Sequence, residues 1–564
     1  MNISGGTLLV RALADNGVSM AYCVPGESYL DVLDALYDQR DAIRLIVCRH
    51  EAGAANMAEA YGKLTGAPGV CFVTRGPGAT HASAAVHTAF QDSTPLVLFI
   101  GQVAAAHRDR EAFQEVDYRQ MFGGMAKWVA EIDDARRIPE YVARAFQTAV
   151  GGRPGPVVLA LPEDMLGQRV SADGIAPARH WQPLPCPPDP DAMAGLAREL
   201  ERAQRPLLVV GGGGWTEAAR RDLTRFAERF QLPVVAEFRC QDYIDNRHPA
   251  YVGDLGLSTN PALARRVRES DLIVLAGGRL SEALTGGYKL VDVPRPRQRM
   301  VHVHAVPEEL GSVYAADVLV AATPQAFFAQ AAQLPAPSAP AWLAWAAEAR
   351  QAYEQFVRPP DSEAELDMGR IVATLNARLA PDAIVTNGAG NYTTWLHRHF
   401  QYKGFRSQLG PMNGAMGYGL PAAIAAKLVH PQRQVVCLAG DGCFMMNVQE
   451  LETAARYGAH IIVIVVANGA YGTIRAHQER HYPGRCHGTT LGNPDFVQLG
   501  QSFGFHAERV AQTAGFDAAL TRALGCGKPA LIELVTDIEF LSAQSRLSAV
   551  RAGALADQAV AVQD

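Results

Sequence analysis

Short, wholly apolar runs alternate with longer amphipathic stretches along most of the chain. In the first third, the runs at 45–49, 69–74 and 95–101 read as buried strands, and 52–66 and 79–92 between them read as helices. The middle third gives strand-like runs at 206–214, 232–238, 272–278 and 299–305, and the last third at 383–390, 434–442, 460–469 and 529–537. Strands apolar on both faces, separated by helices, predict parallel sheets covered on each side. Two proline-rich stretches, 177–192 and 334–342, interrupt the alternation, and proline there denies the chain helix or sheet hydrogen bonding. The pattern predicts three doubly wound α/β domains over 1–176, 190–334 and 360–547, with a C-terminal tail over 548–564. Ligand sites are expected at the C-terminal ends of the strands.

Composition narrows the function classes. The chain has 564 residues and a net charge of −6 from 51 basic and 57 acidic side chains. It has no broad basic field for nucleic acid or an anionic membrane, although backbone amides can still bind a small anion. The apolar run 461–467 is far too short to span a bilayer, and the N-terminus lacks the pattern of a secretory signal. Nine cysteines, an odd number with no C-x-x-C pair, read as reduced thiols. These features predict a soluble, cytoplasmic protein. The histidine pairs 302/304 and 397/399 lack a third ligand at recognisable spacing, so zinc is not expected.

The chemistry concentrates at 435–474. An apolar strand runs into Gly440-Asp441-Gly442, a helix follows, and a second strand ends at Asn468. Glycines at a strand-to-helix turn let backbone approach an anion, and the helix N-terminus points amide hydrogens at it. Asp441 offers a carboxylate oxygen and Asn468 an amide oxygen. With a backbone carbonyl and phosphate oxygens, they would complete the octahedral oxygen shell that Mg²⁺ prefers. The 27-position separation is what one helix and one strand need to return to the same sheet edge. Gly-Asp-Gly alone is an ordinary turn; the Asn at the end of the next strand makes the pattern specific. Glu51 opens the helix of small residues after the run 45–49, where a carboxylate is either an ordinary first-turn residue or a shielded acid.

This arrangement resembles the thiamin diphosphate fingerprint, which begins GDG and ends in a paired Asn-Asn; here Ala467 precedes Asn468. The stretch from Arg49 to Val103 resembles the N-terminal domain of acetolactate synthases almost continuously, and 112–117 with Lys127 and 414–427 also resemble that family. The resemblance covers most of the chain and implies a decarboxylating carboligase that uses thiamin diphosphate, Mg²⁺ and a pyruvate-like 2-oxo acid. It implies Asp441, Asn468 and the Ala470 carbonyl as metal ligands, and contacts to the diphosphate from Gly442 and Cys443. Gly440, Tyr471 and Gly472 would lie beside these, with Ala389, Gly390 and Asn391 approaching the diphosphate. Met416 would hold the cofactor bent, the Gly414 carbonyl would accept from its amino group, and Glu51 would hydrogen-bond its pyrimidine ring. Phe113, Gln114, Lys127 and His477 would face the substrate. Sites in this family are shared between chains, which implies a homodimer or homotetramer.

Two departures matter. Acetolactate synthases usually bind flavin in the middle domain through G-x-R-F-D-D-R and D-I-D-P. Here the corresponding residues are Gly277-Gly278-Arg279-Leu280-Ser281-Glu282-Ala283 and His304-Ala305-Val306-Pro307, so FAD is expected to be absent or weakly held. The glycine run 211–214 reads as a tight turn after a strand. In the substrate helix, His477 stands where the family carries an indole, which leaves the acceptor open. Two alternatives remain at this stage: a simple 2-oxo acid decarboxylase, and a non-catalytic partner subunit.

Overall fold

The computed structural model describes residues 2–561. It holds three six-stranded parallel sheets and one small antiparallel pair, Asn2–Ser4 with Arg169–Ser171. The chain divides into two compact units. The first runs through Leu184 and includes Ile424–Val429; the second holds the remainder. Among the described residues, no helix is long and apolar enough to cross a membrane.

The sheet of the first unit runs, in spatial order, Arg44–Val47, Met20–Cys23, Gly69–Val73, Leu96–Gln102, Pro156–Pro162 and Trp128–Glu131. Every residue of Leu96–Gln102 and Pro156–Pro162 is buried, as expected of interior strands covered on both faces. The helices Glu51–Thr65 and Pro77–Asp92 lie side by side. Glu51–Thr65 starts where the His50 side chain accepts from the Ala52 amide at 3.1 Å, and ends at Gly66 in the left-handed conformation. Its small residues permit close packing: a Cβ on Gly62 would sit 2.4 Å from the Pro95 carbonyl oxygen. Near its C-terminal end, Lys63 bonds Glu59 of the same helix and Asp92 of the other, both carboxylates fully buried.

The second unit carries two sheets. The middle one runs Tyr251–Asp254, Val234–Ala236, Pro206–Val210, Leu272–Ala276, Arg299–His304 and Val318–Ala321. The last runs Gln408–Leu409, Ile384–Asn387, Val435–Gly440, Ile462–Ala467, Ala530–Val535 and His506–Val510. Counted in chain order, the strands of the first and last sheets are arranged 2-1-3-4-6-5, and those of the middle sheet 3-2-1-4-5-6. The second order is that of dinucleotide-binding folds, and both orders reverse direction at a switch point where ligands bind.

The segment expected as a tail falls in a helix, Leu547–Ala561, packed on the helix Gly472–His481. Leu547 joins Ala476 and Leu541 in a small apolar cluster, and Arg551 pairs with the buried carboxylate of Glu479. Residues 562–564 of that expected tail lie outside the described residues.

Candidate active site

Parallel pairing builds the last domain's site. Gly440 lies opposite Val466, so the next residues, Asp441 and Ala467-Asn468, leave the sheet side by side. They do so beside the switch point between Ile384–Asn387 and Val435–Gly440. Asp441 is 2% exposed. Its Oδ2 accepts from the Asn468 amide (3.1 Å), the Gly469 amide (2.8 Å) and Asn493 Nδ2 (2.8 Å), and its Oδ1 from the Gly442 amide (2.8 Å). Asn468 Oδ1 accepts from the Ala470 amide at 3.1 Å, and the Ala470 carbonyl from the Gly472 amide at 2.9 Å. The carboxylate follows one strand, the amide oxygen and the carbonyl follow the next, and hydrogen bonds join the two segments; hard oxygen donors of this kind suit Mg²⁺. Sequence reasoning missed Asn493, which sits in an irregular stretch with no fixed spacing to Asp441.

The residues expected around a diphosphate line the same end of the sheet. Ala389, Gly390, Asn391, Met416, Gly440, Gly442, Asn468, Ala470, Tyr471 and Gly472 are partly exposed and Gly414 is exposed, above buried strands. Gly414 has φ +70° with nothing within 4 Å of its would-be Cβ, whereas Gly442 is overlain by Tyr471, whose ring a Cβ there would meet at 2.6 Å. Asn391 Oδ1 accepts from Thr473 Oγ at 3.0 Å, tying its loop to the helix Gly472–His481. Cys443 is buried and its thiol turns inward. The Sγ accepts from the Gly417 amide (3.3 Å) and the Tyr392 hydroxyl (3.4 Å), and Tyr392 in turn accepts from the Gly388 amide (3.0 Å). Burial, followed by Cys443, pushes the Tyr392 phenol well above its ordinary range, so it stays protonated as a structural donor. Any contact of Cys443 to an anion would therefore come from its backbone. His477 is exposed, with its Nδ1 3.2 Å from Arg480 Nη1. Burial, then Arg480 and His481, lower its pKa, so it is neutral near pH 7.

In the first unit, the Glu51 carboxylate is 13% exposed and its Oε2 lies 2.9 Å from His81 Nδ1. His50 stacks on His81 with ring centroids 4.5 Å apart. Burial and the neighbouring His81 hold the His50 pKa below its ordinary value, against the pull of Glu51. His81 was not among the sequence candidates; its contact with Glu51 arises from the packing of two helices. Gly78 packs beside Glu51: a Cβ there would lie 3.4 Å from Oε1. The loop bearing Phe113 and Gln114 rests on the turn at Gly76, where a Cβ would meet the Gln114 carbonyl oxygen at 2.7 Å. Phe113 is 71% exposed. The Lys127 ammonium donates to the carbonyls of Thr148 and Gly151 (2.6 Å for Gly151), at the C-terminus of the helix Ile138–Val150. Burial and then Arg153 lower its pKa to about 8. In this chain these contacts cap the helix.

Comparison with known proteins agrees with this geometry. Three family models match in order: "Thiamine pyrophosphate enzyme, N-terminal TPP binding domain" over residues 3–121, its central domain over 193–331, and its C-terminal TPP binding domain over 388–534. The first spans Glu51, and the last spans Asp441 and Asn468. The acetolactate synthase large subunit of Parasynechococcus marenigrum is 35% identical over 549 residues, 94% of this chain and 87% of that protein. The isozyme 2 large subunit of Escherichia coli is 32% identical, over 95% of this chain and 96% of its own. A probable acetolactate synthase large subunit of Methanocaldococcus jannaschii is 29% identical, over 95% and 92%. With three consecutive domains matched and relatives of 35% and 32% identity over nearly its full length, the chain belongs to the thiamine pyrophosphate enzyme family, in its acetolactate synthase-like branch.

Proposed function

We propose that this protein is a thiamin diphosphate- and Mg²⁺-dependent carboligase that joins a pyruvate-type 2-oxo acid to a second carbonyl compound. The observation that supports the reading most is that Asp441 and the Asn468–Ala470 segment leave neighbouring strands side by side, next to the sheet's switch point, with the Asp441 carboxylate bonded to the Asn468 and Gly469 amides. Thiamin diphosphate, when bound, supplies a thiazolium that acts as the electron sink for decarboxylation. Asp441, Asn468 and the Ala470 carbonyl would hold Mg²⁺ against its diphosphate, with Gly442 and the turn Ala389-Gly390-Asn391 allowing close approach. Gly414 would accept from the amino group through its carbonyl, and Met416 would support the bent shape. Glu51, steadied by His81, would hydrogen-bond the pyrimidine nitrogen and hold or release a proton there. Gln114 and Phe113 would face the donor, and His477 the acceptor side. The protein would work as a homodimer or homotetramer, which sedimentation would establish.

The test is carbon dioxide release from pyruvate by purified protein with thiamin diphosphate and Mg²⁺, with products identified by mass spectrometry. Acetolactate is expected. Acetaldehyde alone would replace carboligation with simple decarboxylation. Failure to bind thiamin diphosphate in the presence of Mg²⁺ would overturn the reading of the site.

A further inference from the structure

The middle domain has the strand order of a dinucleotide-binding fold, and its switch point lies between Pro206–Val210 and Leu272–Ala276. Each of these strands ends in a glycine pair, Gly211-Gly212 and Gly277-Gly278. Glycines at such a turn normally let backbone approach a diphosphate. Here the space is filled by Glu237, which follows the neighbouring strand Val234–Ala236. A Cβ on Gly211 would fall 2.0 Å from Glu237 Oε2, and one on Gly278 would fall 2.3 Å from its carboxyl carbon. The side chain therefore lies between the two turns.

The carboxylate is also bound as a ligand anion would be. Oε1 accepts from the amides of Arg279 (2.9 Å) and Leu280 (2.8 Å), and the Gly212 amide and the Arg279 charge add to its stabilisation. Leu280 takes φ +45°, uncommon for a leucine, and its carbonyl accepts from the Tyr314 hydroxyl at 2.9 Å. Converging amides of this kind form an anion-binding nest. Glu237 is 3% exposed, and burial outweighs these hydrogen bonds, pushing its pKa above the ordinary carboxylate value. An external diphosphate would have to occupy the volume the carboxylate already takes. FAD does not fit this crevice while Glu237 is in place.

We infer that the switch point of the middle domain is an anion site occupied by the chain's own Glu237, a tethered substitute for the diphosphate of a dinucleotide. The substitution keeps the crevice closed to flavin. Removing the carboxylate reopens it to nucleotides that carry a diphosphate. This inference stands independently of the catalytic reading, because it concerns neither thiamin diphosphate nor its residues.

The test uses the full-length protein and its Glu237→Ala and Glu237→Thr variants, each shown to be folded by its melting transition. ADP binding is titrated by calorimetry, and FAD binding by quenching of flavin fluorescence. The wild type should bind neither and should purify without yellow flavin absorbance. A folded variant should bind ADP at least about tenfold more tightly than wild type, because the amide nest then has no internal anion. Glu237→Gln, which keeps an acceptor oxygen in the nest, should stay closed. FAD or ADP retained by wild type would overturn the inference. So would a folded Ala or Thr variant that binds ADP no better than wild type. The wild-type titration stands even where a variant does not fold.

Discussion

The hydrogen bond between His81 and Glu51 makes a quantitative prediction. His81→Ala removes the partner of Glu51 Oε2 at 2.9 Å and leaves the helix backbone intact. A hydrogen bond to a charged group contributes about 1.5–3 kcal/mol when sheltered. His81 is 49% exposed on its side chain, so water replaces part of that contribution. A residual of about 1 kcal/mol is reasonable, and it corresponds to about a fivefold loss in kcat. The loss appears in kcat because the contact orients the carboxylate and does not touch the diphosphate. Thiamin diphosphate affinity, measured by calorimetry, should stay within about threefold of wild type. His81→Gln can donate an amide hydrogen at similar reach and should recover most of the rate. Steady-state assays of carbon dioxide release with saturating cofactor provide the measurement. A wild-type kcat in His81→Ala, or equal rates for the Ala and Gln variants, would refute the role given to this bond.

Other perturbations read other parts of the molecule. Asp441→Ala removes the acceptor of four donors and a ligand expected for Mg²⁺, so Mg²⁺-dependent calorimetric binding of thiamin diphosphate should vanish while the circular dichroism holds; undiminished binding would contradict the assignment. Burial lowers the pKa of His302 to about 4, of His397 to about 3 and of His399 to about 4. The unfolded chain takes up protons below about pH 6.5 while the folded histidines stay neutral. Their contribution is therefore full above that pH and is lost as pH falls toward 4, by up to about 1.4 kcal/mol per histidine per pH unit. Urea midpoints at neutral and mildly acidic pH should show this slope, and His397→Phe should flatten it; parallel slopes would disprove the attribution. Arg551→Ala should loosen the C-terminal helix from Gly472–His481 by about 1 kcal/mol, given the partial exposure of Arg551. Hydrogen exchange in Leu547–Ala561 would report this directly, and unchanged exchange would assign the docking to the apolar cluster alone.

Sequence patterning revealed interior strands far better than edges. The runs at 69–74, 95–101, 272–278 and 460–469 are buried on both faces and so are continuously apolar. Of the six edge strands, Arg44–Val47 overlaps the run at 45–49, whereas Trp128–Glu131, Tyr251–Asp254, Val318–Ala321, Gln408–Leu409 and His506–Val510 were not picked out. They are short, and several are partly exposed. Two interior strands, Met20–Cys23 and Pro156–Pro162, also escaped the pattern, the first through brevity and the second through its flanking prolines. Asp441 and Asn468 were legible because a strand–helix–strand unit fixes their spacing. Asn493, Tyr392 and His81 meet their partners through loop closure and helix packing, which leave no spacing signature. Glu237 was hidden for the same reason: the glycine pairs were visible, but not the side chain that fills the gap between them. The cap that the Lys127 ammonium places on the helix Ile138–Val150 was hidden too, since no local pattern connects the two.

The ion cluster at Lys63 has an evolutionary consequence. Lys63, Glu59 and Asp92 join the helix that carries Glu51 to the helix that carries His81, with both carboxylates shut away from water. Losing the lysine alone would take away the cation shared by two buried carboxylates, at a cost of about 3–5 kcal/mol, comparable to much of a domain's stability. Losing either acid alone would leave the ammonium with less compensation. Drift at one of the three positions therefore passes through a crippled intermediate unless another changes with it. The three should be inherited as a block, and related chains that abandon the lysine should also have exchanged both acids for neutral residues.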